Sequence, residues 1–364
     1  MRIVVAMSGG VDSSVVAGLL QEAGHEVIGV TLQLYDHGAA TKRRGACCAG
    51  QDIHDARRVA DRLGIAHYVI DAESRFQNAV IADFAASYAA GETPVPCVRC
   101  NQSVKFTDLT ALARGLGAER LATGHYVRRV DGRHGPELHR AADPARDQSW
   151  FLFATTHEQL AFAMFPLGDM PDKAEVRVQA MRYGLEVAAK PDSQDICFVP
   201  TGSYADVVAR LRPDAMEPGE IVDAAGTVVG RHDGIARYTV GQAKRLGDAT
   251  MAGGQRQMVV ATEPMTRRIV VGPWSGAASP RTLDVRLSEM NWLIPVPDGP
   301  MRVQVKLRAR EIPQPASVEP TPWGARVRLD VPVLPAPGQA CVFYDGDRLL
   351  GGGFIRRADW QPPD

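Results

Sequence analysis

At 364 residues the chain is long enough for two or three domains, each with a sizeable core, and too long for a peptide module. Hydrophobic residues at 45% and charged residues at 23% exclude a disordered or fibrous protein, and no apolar run approaches the ~18–20 residues that span a bilayer. The formal net charge of −1 excludes nucleic-acid binding through the field of the whole molecule, so any RNA contact must come from local basic patches. Candidate patches are Lys42-Arg43-Arg44, Arg128-Arg129, Arg267-Arg268, and Lys306 with Arg308 and Arg310. With no signal-peptide pattern after Met1, the expected compartment is the cytoplasm. There, six cysteines point to free thiols, metal ligation or catalysis rather than a disulfide framework.

In chain order, the first two hundred residues alternate β-like runs with helical patterns, as in a parallel sheet wrapped by helices. Strands are predicted at Arg2–Met7, Glu26–Leu34, His67–Ile70 and Arg120–Thr123. Helices are predicted at Ser13–Ala23, Gln51–Leu63, Ala79–Ala90 and Ser103–Leu116. The fold class is α/β, a doubly wound parallel-sheet nucleotide-binding domain over residues 1–202. A small linking domain over 203–274 and a C-terminal β-barrel over 275–364 follow. The barrel is read from the alternation in Arg302–Arg310, which sets Val303, Val305 and Leu307 against Lys306, Arg308 and Arg310. It continues through Ala325–Val333 and a hairpin turning at Asp345-Gly346.

Ser8-Gly9-Gly10-Val11-Asp12-Ser13-Ser14 lies between the first predicted strand and helix. Its glycines free the backbone for close approach of a ligand, and its serines sit where a helix N-terminus stabilises anions. Phosphate is the expected guest, and without a Walker lysine the chemistry differs from ordinary phosphoryl transfer.

Cys97 and Cys100 are expected in a loop ahead of the helix at Ser103, where the helix dipole favours a thiolate. Cys197 follows in Asp192-Ser193-Gln194-Asp195-Ile196-Cys197-Phe198. By spacing, CxxC with one distant cysteine also reads as an incomplete metal site. Cys47 and Cys48 are adjacent and project apart, and Cys341 reads as barrel packing. His125 is a candidate phosphate-orienting residue, while Trp150 and Phe151 read as core or as base-stacking groups.

The SGGVDSS loop resembles the PP-loop of the N-type ATP pyrophosphatases, which cleave ATP between its α- and β-phosphates. With the cysteine motifs, Ala122–Tyr126, Arg146–Leu152, Tyr238–Gln242, Cys341–Tyr344 and Gly351–Gly353, the chain is similar over nearly its whole length to the MnmA-type tRNA-specific 2-thiouridylases. That resemblance implies ATP-dependent 2-thiolation of the wobble uridine of the lysine, glutamate and glutamine tRNAs. It implies an ATP site at Ala6, Met7, Ser8, Gly9, Gly10, Val11, Asp12, Ser13, Leu32 and Gly124, with Mg²⁺ needed and Asp12 helping to hold it. Cys100 matches the nucleophile and Cys197 the persulfide carrier, the two closing a disulfide during turnover. Val95, Pro96 and Cys97 would approach the target base, and Arg146, Asp147, Gln148, Arg308 and Ala309 would contact tRNA. The expected partners are tRNA and a persulfide donor, either a sulfur-relay protein or a cysteine desulfurase. Two positions depart from the family: some members carry aspartate where Cys97 stands, and lysine is common at Arg146. The first leaves open an iron–sulfur cluster on Cys97, Cys100 and Cys197. A small-molecule amidotransferase or synthetase and a non-catalytic RNA-binding or iron–sulfur scaffold are the rival readings.

Overall fold

The computed structural model describes residues 1–35, 49–192, 196–199, 203–275 and 279–361. Lys42-Arg43-Arg44, Cys47, Cys48 and Ser193-Gln194-Asp195 lie outside the described residues. The chain forms two compact units. One comprises Met1–Val80, Cys97–Pro200 and Asp345–Leu350, the other Ile81–Pro96, Thr201–Tyr344 and Gly351–Asp364.

The first unit contains strands β1 (Arg2–Ala6), β2 (Glu26–Gln33), β3 (Ala66–Asp71), β4 (Arg120–Ala122), β5 (Val127–Gly132), β6 (Gly135–Arg140) and β7 (Ala163–Met164). Five of them form a sheet in the order β3-β2-β1-β4-β7, every pairing parallel. Ile3, Val4 and Val5 are fully buried because helices cover both faces, which is why β1 reads as a continuous apolar run. Helix α1 (Val11–Glu22) packs Val15, Val16, Ala17 and Leu20 into a core shared with Ala56 and Val59 of α2 (Ala49–Leu63) and with Val176 and Ala180. Burial of each of these valines and of Leu20 stabilises by about 1.5–3 kcal/mol. β1 lies between β2 and β4, so the chain order reverses there, which makes the carboxyl ends of β1 and β4 the place where an open α/β sheet binds ligands.

Two local departures from the sequence expectation affect the site. The helix expected from Ser103 begins at Pro96: an α-helical turn Pro96–Cys100 runs into a π-helical turn Asn101–Lys105 and then the α-helix Phe106–Gly115. Proline at a helix start needs no N–H partner and already holds a helical φ, so Pro96 is suited to begin the helix. The antiparallel hairpin β5–β6 was not anticipated; it turns through Gly132-Arg133-His134-Gly135, and the chain end adds to it through Leu349 opposite Leu138.

In the second unit, β8 (Gly219–Val222), β9 (Val228–His232), β10 (Gln257–Glu263) and β11 (Arg268–Pro273) form a sheet in the order β10-β11-β8-β9. The helix Tyr204–Leu211 precedes it, started by a reciprocal cap between Ser203 and Asp206. β12 (Thr282–Trp292), β13 (Met301–Lys306), β14 (Gln314–Thr321), β15 (Gly324–Val333), β16 (Ala340–Asp345) and β17 (Arg348–Ile355) follow. These form an antiparallel barrel that closes where β12 pairs with β17. Val303, Val305, Val318, Val327 and Leu329 fill it, as the period-two pattern requires. Lys306 departs from that pattern. Alternation breaks at the end of β13, and Lys306 is buried at 4% exposure, leaving Arg308 and Arg310 as the exposed cations there. Among the described residues no helix is long and apolar enough to cross a membrane.

Candidate active site

The SGGVDSS segment turns from β1 into α1 at this switch point. Gly9 has φ +72°, a left-handed conformation that favours glycine, and a Cβ there would lie 2.1 Å from the Asp52 carbonyl oxygen. The Ser8 N–H donates to Ser13 Oγ at 3.1 Å, and Ser14 Oγ donates to the Gly10 carbonyl at 2.8 Å. The loop therefore curls on its own hydroxyls, with its first amides at the positive end of α1. Gly124, just past β4, is pressed against this turn: a Cβ would stand 2.9 Å from Ser13 N. Met7 is buried, and Ala6 and Leu32 are half-buried at the ends of their strands. The residues expected to hold the nucleotide thus lie at the carboxyl ends of β1, β2 and β4 and on the turn into α1.

Sequence reasoning missed two lysines there. Lys173, 8% exposed, donates to both Asp12 oxygens at 2.7 Å, and its Nζ lies 2.8 Å from Asp192 Oδ1. The Tyr126 hydroxyl donates to Asp12 Oδ1 at 2.6 Å, and Arg146 bonds Asp192 Oδ2 at 2.7 Å. Burial alone would raise the Asp192 carboxyl, but Lys173 and Arg146 hold it below the usual carboxylate range. Lys190 donates to the Gly9 carbonyl at 3.0 Å and to Asp52 and Asp55 at 2.7 and 2.6 Å. An isolated lysine far along the chain carries no local motif. The only signal available for Lys173 was its place after Asp172 at a helix start.

The thiols lie in the same unit. Cys97 is exposed and Cys100 is buried at 5% exposure, both on the turn Pro96–Cys100, while Cys197 is exposed. Burial pushes the Cys100 thiol up, Cys97 adds to this, and Lys105 opposes it. The expected loop thiolate at Cys100 is therefore corrected: Cys100 lies within a helix, in a dry setting that favours the protonated form. Cys197 is raised first by loss of hydration, then by Cys100, again against Lys105. Lys105 is pulled down by burial and raised by Cys100, Cys97 and Cys197, ending above an ordinary lysine. The charge of Lys105 is thus coupled to thiols from two distant stretches of chain. Among the described residues, no three His, Cys, Asp or Glu side chains are arranged to hold a metal ion.

Other predicted residues have structural partners. His125 stacks on Phe106 at 6.1 Å and shares a 2.9 Å hydrogen bond with Thr123. Burial, then Lys105, lowers its pKa to about 3, so it is neutral. Trp150 is core, at 2% exposure. Asp147 accepts from Arg140 and from the Ser149 N–H, and Gln148 accepts from the Tyr126 N–H, which leaves Arg146 as the more outward member of that trio. Val95 and Pro96 are buried in the second unit. On the barrel, Arg308 is half-exposed, 3.8 Å from Glu311 and beside Gly241, with Ala309 next to it.

A parallel sheet with a phosphate-type loop at its switch point and paired thiols in the same unit defines a nucleotide-dependent enzyme of the PP-loop class. Residues 1–201 match the family described as the tRNA methyl transferase HUP domain, 205–273 its PRC-barrel domain and 283–355 the aminomethyltransferase beta-barrel domain. The chain is 68% identical over 357 residues to a tRNA-specific 2-thiouridylase MnmA of Acidiphilium cryptum, covering 98% of this chain and 100% of that one. It is 64% identical to that of Gluconobacter oxydans (99% and 100% covered) and 60% to that of Rhodospirillum centenum (99% and 93% covered). The chain belongs to the tRNA-specific 2-thiouridylase MnmA family.

Proposed function

We propose that the chain is an ATP-dependent tRNA sulfurtransferase that places sulfur on C2 of the wobble uridine, acting on the lysine, glutamate and glutamine tRNAs in the cytoplasm. The observation that carries this reading is that Cys100 and Cys197 lie in the same compact unit as the phosphate loop.

ATP would bind with its phosphates on Ser8–Ser14 and its base toward Ala6, Met7, Leu32 and Gly124. Magnesium suits a site with one carboxylate, Asp12, and substrate phosphates for its remaining ligands; when bound it would neutralise phosphate charge. Lys173, already at Asp12, is placed to do the same from the protein side. The uridine C2 oxygen attacks the α-phosphorus, pyrophosphate leaves, and the oxygen becomes part of an AMP leaving group. The terminal sulfur of a Cys197 persulfide, loaded by a separate donor protein, then attacks C2 and AMP departs. Cys100 attacks Cys197 Sγ, which frees the 2-thiouridine and closes a Cys100–Cys197 disulfide that a reductant must open. The target base must leave its stack, which is easiest in an anticodon loop. Arg146 and Arg308–Ala309 would hold tRNA, and Val95–Cys97 would face the base.

An iron–sulfur mechanism on Cys97, Cys100 and Cys197 is disfavoured by the lack of a ready-made ligand set among the described residues. Methyl transfer, which the family description names, would leave both the thiols and ATP cleavage without a task. The test supplies tRNA, ATP and a persulfide donor, and measures pyrophosphate and 2-thiouridine by mass spectrometry. Pyrophosphate should depend on tRNA, and thiolation should vanish in Cys197→Ser. Full thiolation by that variant would overturn the mechanism.

A further inference from the structure

We propose that Cys97 is the resolving thiol of the catalytic cycle: it takes the disulfide from Cys197 onto itself and Cys100, so that Cys197 is free to be loaded again. This rests on the persulfide reading above.

Three observations converge. Cys97 and Cys100 stand at i and i+3 of one helical turn, Pro96–Cys100, on the same helix face with Cβ atoms roughly 5–6 Å apart. A modest adjustment brings that spacing into disulfide range, and the turn opens directly into a π-helical segment rather than a regular α-helix. The two sulfurs also differ in access, Cys97 being exposed and Cys100 buried. An external reductant is shielded from Cys100, and if it attacked at Cys197 it would occupy the very sulfur that must be reloaded. Cys97 is reachable from solvent and is joined to Cys100 by helix geometry. Lastly, the charges of Cys97, Cys100 and Cys197 all act on Lys105, so a thiolate leaving from any of them is favoured by the same cation.

The exchange balances without a new oxidant. The Cys97 thiolate attacks Cys100 Sγ, a Cys97–Cys100 bond forms, and the Cys100–Cys197 bond breaks. Cys197 leaves as a thiolate and takes up the proton that Cys97 gave up. The disulfide count is unchanged. The Cys97–Cys100 disulfide is then reduced by an external dithiol, which becomes oxidised in turn.

The test uses full-length protein with Cys197 preloaded as the persulfide, given tRNA and ATP without reductant. The reaction is quenched with an alkylating agent and mapped by non-reducing peptide mass spectrometry per tRNA thiolated. Wild type should yield the Cys97–Cys100 disulfide with Cys197 alkylated, and Cys97→Ser should trap Cys100–Cys197. With a limiting dithiol, the ratio of turnover at high to low reductant should be about fivefold or more larger for Cys97→Ser than for wild type. A wild-type map showing Cys100–Cys197 with Cys97 alkylated, or equal reductant dependence, overturns the proposal. Thiolation by Cys100→Ser at wild-type yield would instead overturn the persulfide reading beneath it.

Discussion

Lys173 holds both carboxylate oxygens of Asp12 at 2.7 Å while standing 2.8 Å from Asp192, so one buried ammonium joins the phosphate loop to the residue five positions before Cys197. Lys173→Ala would strip Asp12 of its ammonium partner and leave Asp192 to Arg146 and Arg177 alone. Removing one partner of a buried pair costs about 3–5 kcal/mol, and the partial exposure of Asp12 lowers this to roughly 2–4 kcal/mol. Denaturant unfolding should show that loss, and tRNA-dependent pyrophosphate release should fall at least about tenfold. A variant with wild-type stability and pyrophosphate release would remove Lys173 from this role.

The same network sets an acid limit. Asp192 is held below its ordinary pKa in the folded chain, so its contribution to stability is present above the unfolded value of about 3.9 and is lost as pH falls through the folded value. Asp192→Asn should therefore be less stable than wild type near pH 6, with the gap in melting temperature narrowing once pH falls below the ordinary carboxylate value of about 3.9. A gap constant with pH would show that Asp192 is not the titrating group.

Thiol reactivity should follow burial. At pH 7 pulse alkylation should label exposed Cys97 at least about tenfold faster than Cys100, and the Cys100 rate should climb with pH beyond the ordinary thiol range. Lys105→Met should slow Cys100 further, and Lys105→Arg should restore it. Equal labelling of the two cysteines, with no response to Lys105→Met, would contradict this arrangement.

Gly124→Ala would drive a methyl to 2.9 Å from Ser13 N, against backbone that cannot swing aside. Overpacking of this kind costs about 1–3 kcal/mol and should weaken ATP binding, measured by calorimetry, by about tenfold or more. Gly115→Ala meets nothing within 4 Å and serves as the control. Unchanged ATP affinity in Gly124→Ala would place the nucleotide elsewhere.

The sequence carried what local patterns encode. The SGGVDSS turn, the buried β1 run and the alternation of Val303, Val305 and Val327 announce their structure because each depends on neighbours in the chain. The site's cations do not. Lys173 and Lys190 gain meaning only when the fold brings them to Asp12 and Gly9, and Lys306 looks like an outward strand residue until alternation breaks at the end of β13. The cysteine pair reads as a loop ahead of the helix at Ser103, whereas the helix opens at Pro96. That single misreading also reversed the expected protonation of Cys100, since a buried helical thiol loses the water that a loop thiolate keeps.

The π-helical turn at Asn101–Lys105 gives this last point a wider meaning. A π turn holds about one residue more than an α turn, and each residue of an α-helix rotates the chain by about 100°. Deleting Gln102 or Ser103 would let the segment relax into an unbroken α-helix and swing Cys97 and Cys100 around its axis relative to Phe106–Gly115. Every reactive atom would survive, yet the sulfurs would aim elsewhere. Here the direction of the chemistry is written as an insertion, so comparison of substitutions alone would overlook what orients it.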